Sequence, residues 1–290
     1  MNDINGRTRL CGLIGNPVEH TMSPVIHNTL AEATSQNLAY LPFHVQTGCL
    51  EDAVKGGLAL NVLGFNVTIP YKSDVIPFLA DIDPLAKRIG ACNTLVRCEG
   101  GFKGYNTDMP GLLRAMKKDG VNVEGEDILI LGAGGVARAV AMMLADNNAS
   151  SITIINRSVD KAQAIADEVN TYLGNDFVKV LSLSDYKSID ASKKYIAVQA
   201  TNVGMYPKVD EVIIEDDEFY KLLKVGYDLI FNPLETKFMK LAKANGAQAF
   251  HGYRMLLYQG IIAYELWTGV QVSDEEAEKV YAKMLAAMKA

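Results

Sequence analysis

The stretch from Asp127 to Ser158, DILILGAGGVARAVAMMLADNNASSITIINRS, constrains the fold of this chain more than any other. It contains an apolar strand, a glycine turn, a helix and a second apolar strand, in that order. Further apolar runs of strand length follow at FVKVLSL, KYIAVQA, GYDLIF and AQAF. Strands that alternate with helices in this way are typical of a mainly parallel sheet. The sequence therefore predicts an α/β fold in which this part forms a doubly wound sheet.

The glycine turn matches the GxGxxG/A pattern of dinucleotide-binding loops, with Gly132, Gly134 and Ala137 at its three defining positions and Gly135 between them. The first glycine allows the tight turn, the second lets a pyrophosphate approach, and the small alanine lets helix and strand pack closely. Backbone amides at the start of the helix supply an anion site. A glycine-rich turn without a ligand is the alternative, and the strand–turn–helix–strand context argues against it.

The end of the second strand indicates which dinucleotide binds. An acidic residue there would accept a hydrogen bond from the ribose 2′-hydroxyl of NAD. The chain instead has Asn156, Arg157 and Ser158, with Lys161 one turn later. A guanidinium and an ammonium group at this position suit the 2′-phosphate of NADP, which Arg157 could engage through two donors. The alternative is that both cations are ordinary solvated charges at a helix start.

Composition excludes several classes of function. The 290-residue chain has a net charge of −6, which disfavours nucleic-acid binding. Its four cysteines show no metal-binding spacing, so we expect free thiols and no metal site. The N-terminal residues form no apolar signal region, and no apolar run approaches the roughly 20 residues of a membrane span. We therefore expect a cytoplasmic protein whose partner is a small molecule rather than a nucleic acid or a membrane.

The remainder of the chain predicts a second, discontinuous domain. RLCGLIG, AYLPFHV and VLGFNVTI are strand-like, helices are expected from Pro24 and Leu50, and NTLVRC and FKGYNT form a predicted hairpin. Two helices are expected in the tail, the second with Ser273 and Glu276 in a capping box. We predict one domain from residues 1–108 together with 251–290, and a dinucleotide-binding domain from residues 109–250.

Polar residues at the predicted strand ends of the first domain are candidates for a site. Asn66 and Thr68 fall on one face of a strand that leads to Lys72, a residue poorly placed for the dipole of a helix start. Asp108 could be an ionisable partner or only the cap of the next helix. In HTMSPVIH, Ser23 is the predicted helix cap, because Pro24 would then be the first helical residue.

These motifs together resemble the shikimate dehydrogenase family. The resemblance is carried by GNPVEHTMSP, NVTIPYK, GACNT, GYNTD, GAGGVAR, INRS, ATNVGM, FNPLET and the tail ML-x-x-Q, which run in the family's order over nearly the whole chain. The family interconverts 3-dehydroshikimate and shikimate with NADP, in the biosynthesis of aromatic amino acids, or oxidises shikimate or quinate. The resemblance implies a two-domain α/β enzyme whose C-terminal helices return to the first domain. It leaves open whether the chain forms a homodimer.

The resemblance also implies roles for individual residues. Lys72 and Asp108 match the catalytic lysine and aspartate. The implied substrate-binding residues, which hold the ring hydroxyls and the carboxylate, are Thr21, Ser23, Asn66, Thr68, Asn93 and Gln259, with Asp108 also on a hydroxyl. The implied cofactor-binding residues are Gly132, Gly134, Gly135, Ala137, Asn156, Arg157, Ser158, Lys161, Thr201 and Gly252.

Four positions depart from the family pattern: Thr21 replaces a serine, Phe231 a tyrosine, and Met109 and Arg254 each a glycine. Thr21 and Phe231 fall at the implied carboxylate end of the substrate. Arg254 could replace the lost contacts with a bidentate grip, or it could point to solvent. The substrate therefore stays open among shikimate, quinate, an amino analogue and another hydroxylated ring acid.

Overall fold

The structure, a computed structural model, describes residues 4–288. The strands are, in chain order, β1 (Arg9–Gly15), β2 (Leu38–His44), β3 (Gly64–Val67), β4 (Asp81–Ile82), β5 (Thr94–Cys98), β6 (Gly101–Tyr105), β7 (Asp127–Leu131), β8 (Ser151–Asn156), β9 (Val178–Ser182), β10 (Tyr195–Gln199), β11 (Leu223–Asp228) and β12 (Gln248–His251). The helices are α1 (Ser23–Ala33), α2 (Leu50–Ala59), α3 (Pro84–Ile89), α4 (Asp108–Lys118), α5 (Gly135–Asp146), α6 (Val159–Leu173), α7 (Asp217–Tyr220), α8 (Lys237–Ala244), α9 (Tyr253–Thr268) and α10 (Asp274–Met288). Short 3₁₀ helices occupy Ile76–Phe78 and Leu183–Ser188.

The chain divides into two compact units. The first extends to Gly111 and resumes at Leu257, and the second is Leu112–Leu256. The boundaries fall inside α4 and α9 rather than in loops, so each of these helices lies partly in each unit. The first unit therefore includes most of α9 and all of α10, as expected for tail helices that return to the first domain.

The first unit is built on a six-stranded mixed sheet in the order β2-β1-β3-β5-β6-β4. β1 pairs in parallel with both β2 and β3, whereas β5 is antiparallel to β3 and β6. The predicted hairpin is confirmed as β5 and β6. Buried apolar side chains such as Leu95 and Phe102 form the hydrophobic core of this unit.

The tail helices are held to this sheet by a specific contact. Trp267 in α9 donates its indole N–H to the carbonyl oxygen of Leu95, 2.8 Å away, and both groups are buried. Gly64 of β3 lies under the same indole, where an added Cβ would overlap Trp267 and the Leu95 carbonyl. Only glycine fits there without displacing the tryptophan. α10 packs against α1, and its predicted capping box between Ser273 and Glu276 is confirmed.

The second unit is a six-stranded, wholly parallel sheet in the order β12-β11-β10-β7-β8-β9. The strand order reverses at β7, beside the glycine turn. This is the topological switch point at which doubly wound sheets bind ligands. β7 and the middle of α5, from Ala139 to Ala145, are buried, which explains why both are so apolar in the sequence.

Two details differ from the sequence expectations. Ser23 is not the cap of α1: it is the first helical residue, the cap position is Met22, and no side chain caps the helix there. Short elements that no strong periodicity marks, β4 and α3, were not expected. No described helix is both long and apolar enough to cross a membrane.

We expect Gly64→Ala to destabilise the first unit, because its methyl group must displace the Trp267 indole or the β5 backbone. Forcing a methyl group into a packed core typically costs about 1–3 kcal/mol. Gly56→Ala is the matched control: Gly56 lies in α2 with open space around its Cβ position, so alanine should stabilise the helix by about 0.5–1 kcal/mol. Urea unfolding of both variants tests this, and equal effects of the two would contradict it.

Candidate functional site

An ion pair between Lys72 and Asp108 lies at the centre of the candidate site in the first unit. The Lys72 Nζ atom is 2.7 Å from Asp108 Oδ2. Lys72 lies in the turn after β3, and Asp108 is the first residue of α4. Both side chains are partly exposed, 35% for the lysine and 23% for the aspartate, so a ligand could reach them.

Asn93 fixes the position of Asp108. Its Nδ2 donates to Asp108 Oδ1 at 2.8 Å, so the two carboxylate oxygens have different partners. Its Oδ1 accepts from the Thr107 amide at 2.8 Å and from the Thr94 hydroxyl at 3.1 Å. Asn93 is buried, which makes these bonds strong and their loss costly. The amide therefore locks the start of α4 onto the start of β5.

Asn66 extends this network toward β2. Its Nδ2 donates to the carbonyl oxygen of Asn93 and to the Thr94 hydroxyl, and its Oδ1 accepts from the Tyr40 hydroxyl at 2.7 Å. Both amide hydrogens of Asn66 are thus used by the protein. The structure brings Asn66 into the same buried network as Asn93.

Thr21 and Ser23 form a small hydroxyl cluster before α1. Thr21 Oγ1 accepts from the Ser23 amide at 3.2 Å and donates to Ser23 Oγ at 3.1 Å. Thr21 thus bonds the amide of Ser23, the first helical residue, whereas a Ser23 cap would have accepted from an amide two or three residues further on. The two hydroxyls therefore lie side by side at the start of the helix.

The other two predicted substrate residues lie in the same unit. Thr68 follows β3, and its amide donates to the Ile14 carbonyl oxygen. Gln259 is buried in α9, and its backbone contacts Gly111 of α4 so closely that a Cβ on Gly111 would overlap it. Gly111 lies about one helical turn after Asp108, so Gln259 contacts α4 close to the candidate aspartate.

In the second unit, the glycine loop has the geometry that an anion site requires. Gly132 has φ +113°, a conformation that favours glycine, and a Cβ there would lie 2.5 Å from the Thr201 methyl group. Gly134 is the cap position of α5 and offers no side-chain cap to its first amides. Gly135 opens the helix with free space around it, and Ala137 is completely buried against the sheet.

The residues predicted to bind the 2′-phosphate of NADP follow β8. Asn156 ends the strand and donates from Nδ2 to the Ser158 carbonyl oxygen at 2.8 Å, and Ser158 is the cap position of α6. Arg157 and Lys161 are exposed. Within residues 4–288 no carboxylate holds either of them, whereas the nearby Arg138 is paired with Glu168 at 2.6 Å.

The last two predicted cofactor residues lie at the ends of neighbouring strands. Thr201 follows β10, and both its amide and its hydroxyl donate to Gln199 Oε1. Gly252 follows β12, where its amide donates to the Ile230 carbonyl oxygen and a Cβ would overlap Leu229. All ten predicted cofactor residues therefore lie at the carboxyl edge of one sheet or in the two helices that start there.

Arg254 takes neither of the roles considered from sequence. Its Nε is 3.1 Å from Asp119 Oδ1, and Asp119 also accepts from the Tyr227 hydroxyl. The arginine is thus anchored within the second unit. Met109 is buried in α4, and Phe231 is 43% exposed.

Sequence reasoning missed three supports of the site. Tyr40 and Thr94 hold Asn66, and His27 stacks on the Tyr40 ring at 4.2 Å between centroids. Burial lowers the pKa of His27 to about 3, so its imidazole is neutral, and neither nitrogen has a partner among the described residues. His27 lies one turn after Ser23, a spacing that could have signalled a shared inward face.

The arrangement can transfer a proton and bind two anions. Lys72 and Asp108 supply a donor and an acceptor next to each other. The hydroxyl cluster suits a small carboxylate, and the carboxyl edge of the parallel sheet suits a pyrophosphate. Among the described residues no group of acidic, histidine or cysteine side chains is arranged to hold a metal.

Comparison with known proteins agrees with this geometry. The model of the shikimate dehydrogenase substrate-binding domain matches residues 13–95, that of shikimate/quinate 5-dehydrogenase matches 114–204, and that of the shikimate 5′-dehydrogenase C-terminal domain matches 252–280. The shikimate dehydrogenase (NADP(+)) of Carboxydothermus hydrogenoformans is 44% identical over 267 residues, which are 92% of this chain and 94% of the relative.

Solved structures give the same result. A shikimate dehydrogenase in complex with NADP+ superposes with a TM-score of 0.88 at 40% identity, over 98% of this chain and 97% of that one. The Listeria monocytogenes shikimate 5-dehydrogenase, solved with shikimate and NAD, has a TM-score of 0.88 at 30% identity, over 97% and 98% of the two chains. The first unit accordingly corresponds to the substrate-binding domain and the second to the Rossmann-type NADP domain, and this chain belongs to the shikimate dehydrogenase family.

Proposed function

We propose that this chain is an NADP-dependent oxidoreductase that interconverts 3-dehydroshikimate and shikimate. The observation that carries the proposal is the Lys72–Asp108 ion pair, 2.7 Å long and held by Asn93. It is joined in one chain to a dinucleotide loop with exposed cations at the position of the 2′-phosphate. A protein that only sensed the cofactor would need no such pair.

Lys72 acts on the substrate oxygen. In reduction, the ring carbonyl carbon gains a hydride and its oxygen gains a proton, which the Lys72 ammonium donates; in oxidation the amine takes that proton back. Asp108 holds the ammonium group and, through its other oxygen, stays fixed by Asn93. Asp108 also accepts a hydrogen bond from a ring hydroxyl, which orients the carbon that reacts.

The cofactor is held by the second unit. The bound nicotinamide supplies or accepts the hydride. The pyrophosphate fits the amides at the start of α5, because Gly134 leaves them without a side-chain cap and the glycines leave the space open. Arg157 and Lys161 hold the 2′-phosphate, and Thr201 and Gly252 line the same edge of the sheet.

Thr21 and Ser23 bind the substrate carboxylate through their hydroxyls, and Asn66, Thr68, Asn93 and Gln259 surround the ring. Quinate dehydrogenation is the second candidate, because Thr21 and Phe231 depart from the family pattern at the implied carboxylate end. A panel of shikimate, quinate and an amino analogue, read by nicotinamide absorbance, separates them: turnover of shikimate well above the others supports the proposal, and faster turnover of quinate overturns it.

We also propose a cytoplasmic location, which the four free cysteines support, and a homodimeric assembly, which sedimentation tests.

We expect Lys72→Ala to lower kcat for shikimate oxidation by about 10²–10⁴-fold, because general acid–base catalysis contributes that factor. KM for NADP should change little, since Lys72 belongs to the first unit. Lys55→Ala is the matched control: Lys55 pairs with Glu51 on the surface of α2, and its loss should leave kcat unchanged. A Lys72→Ala enzyme with near wild-type kcat would refute the assigned role.

Removing Arg157 should weaken the preference for NADP over NAD. Hydrogen bonds to charged groups contribute about 1.5–3 kcal/mol, so Arg157→Ala should raise KM for NADP about tenfold or more, with KM for NAD nearly unchanged. Lys161→Ala should have a smaller effect in the same direction, because an ammonium makes no bidentate contact. Lys187→Ala, an exposed lysine of the same unit, serves as control. Equal effects on NADP and NAD would contradict the proposal.

A further inference from the structure

Two buried polar side chains end adjacent strands of the second unit. Gln199 is the last residue of β10, Asp228 is the last residue of β11, and the two pair in register. Their exposures are 1% and 0%. Burial raises the pKa of Asp228 to about 6, against the opposing hydrogen bonds from Thr236 and Ile230. Burying such a carboxylate costs free energy unless its partners compensate, so its hydrogen bonds deserve an explanation.

Asp228 holds both ends of the segment that follows β11. Its Oδ1 accepts from the Ile230 amide at 2.9 Å, at the start of the segment. Its Oδ2 accepts from the Thr236 hydroxyl at 2.6 Å, at the end. Thr236 in turn caps α8 by accepting from the Met239 amide at 3.3 Å. One carboxylate therefore closes the loop between residues 229 and 236.

Gln199 holds the segment that follows β10. Its Oε1 accepts from the Thr201 amide at 2.6 Å and from the Thr201 hydroxyl at 2.8 Å. Its Nε2 donates to the Val203 carbonyl oxygen at 3.1 Å and reaches Asp228 Oδ1 at 3.4 Å. The two side chains are thus linked to each other and are here named the Gln199–Asp228 pair.

The loops fixed by this pair contact the predicted cofactor residues. The Thr201 methyl group lies against Gly132 of the glycine loop. The Ile230 carbonyl oxygen accepts from the Gly252 amide at 3.0 Å, and the Tyr206 amide donates to the Asn232 carbonyl oxygen at 3.2 Å. Three strand-end loops and the glycine turn are therefore linked through a single buried pair.

We propose that Asp228 and Gln199 are positioning residues for NADP: they touch no part of the cofactor but set the loops that bind it. This inference rests on the proposed function, since it needs the cofactor at this edge of the sheet. An apolar pair could fill the same volume without the cost of burying a charge, but it could not fix the directions of five loop groups. Loss of either partner should therefore weaken cofactor binding more than it weakens the fold.

The experiment measures Kd for NADPH by fluorescence titration of the full-length protein. We expect Asp228→Asn, which replaces one of two acceptor oxygens with an N–H donor and removes the charge, and Thr236→Val, which removes the hydroxyl, to raise Kd about tenfold or more. Thr236→Ser keeps the hydroxyl and should restore a wild-type Kd. KM for shikimate should stay within about twofold in all three variants, because its proposed binding residues belong to the first unit.

Val178→Ala is the control for a purely structural effect. Val178 is buried at the start of β9, at the opposite end of its strand from the cofactor residues. It should lower the melting temperature and leave Kd for NADPH unchanged. If Val178→Ala weakens NADPH binding as much as Thr236→Val does, or if Asp228→Asn binds NADPH like the wild type, the positioning role is wrong.

Two further outcomes have a definite meaning. If Asp228→Asn does not fold, Thr236→Val against Thr236→Ser decides the question by the same criterion. If the wild-type protein itself binds no NADPH, the proposed function fails, and the inference that rests on it fails for that separate reason.

Discussion

The buried side chain of Asn93 is the interaction on which the candidate catalytic geometry depends. Its side-chain amide joins β5, the 106–108 turn and the Asp108 carboxylate, and hydrogen bonds of Asn106 and of the Thr94 and Thr107 hydroxyls add to this connection. A buried amide is stable only when its donors and acceptors are satisfied, so this side chain admits few arrangements. Asp108 is fixed at one oxygen as a result. Its other oxygen can then hold the Lys72 ammonium group in one place, although the lysine side chain is long and flexible.

The second unit solves the same physical problem in a similar way. Loops at the carboxyl ends of parallel strands have no ladder to hold them, although a bound dinucleotide needs them within a fraction of an ångström. Gln199 and Asp228 end their strands and turn their side chains to the loop backbone, where one residue serves several amides and carbonyls. In both units, polar side chains buried at strand ends form directional hydrogen bonds that fix the adjoining loops. Apolar packing has no such directionality. The apolar core stabilises each sheet, and these few polar residues shape its edge.

Local patterns predicted much of this structure. The strand–turn–helix–strand stretch, the hairpin and the second tail helix follow from periodicity and turn chemistry, which depend on near neighbours in sequence. The partners of polar side chains depend on residues far apart in the chain, and there prediction failed. No spacing indicated that Tyr40 would hold Asn66, or that Asp119 would hold Arg254. The cap of α1 failed for a different reason: Ser23–Pro24 is a good capping pattern, but the helix begins one residue earlier, with Ser23 as its first residue and the Ser23 amide bonded to the Thr21 hydroxyl.

That contact also sharpens what the substitution at position 21 changes. Thr21 Oγ1 both accepts from the Ser23 amide and donates to its hydroxyl, so a threonine keeps the bonds that a serine could make there. The methyl group is then the only difference, and a β-branched side chain has little freedom to move it away. For the proposed role in binding a carboxylate, the hydroxyl group is preserved, whereas the space beside it is reduced. Arg254 supplies no replacement grip within the first unit, because Asp119 anchors it in the second. Any change in substrate preference at this end therefore arises from shape. Asn93 positions Lys72–Asp108, the proposed catalytic pair, independently of Thr21, so we expect the reaction class to stay the same.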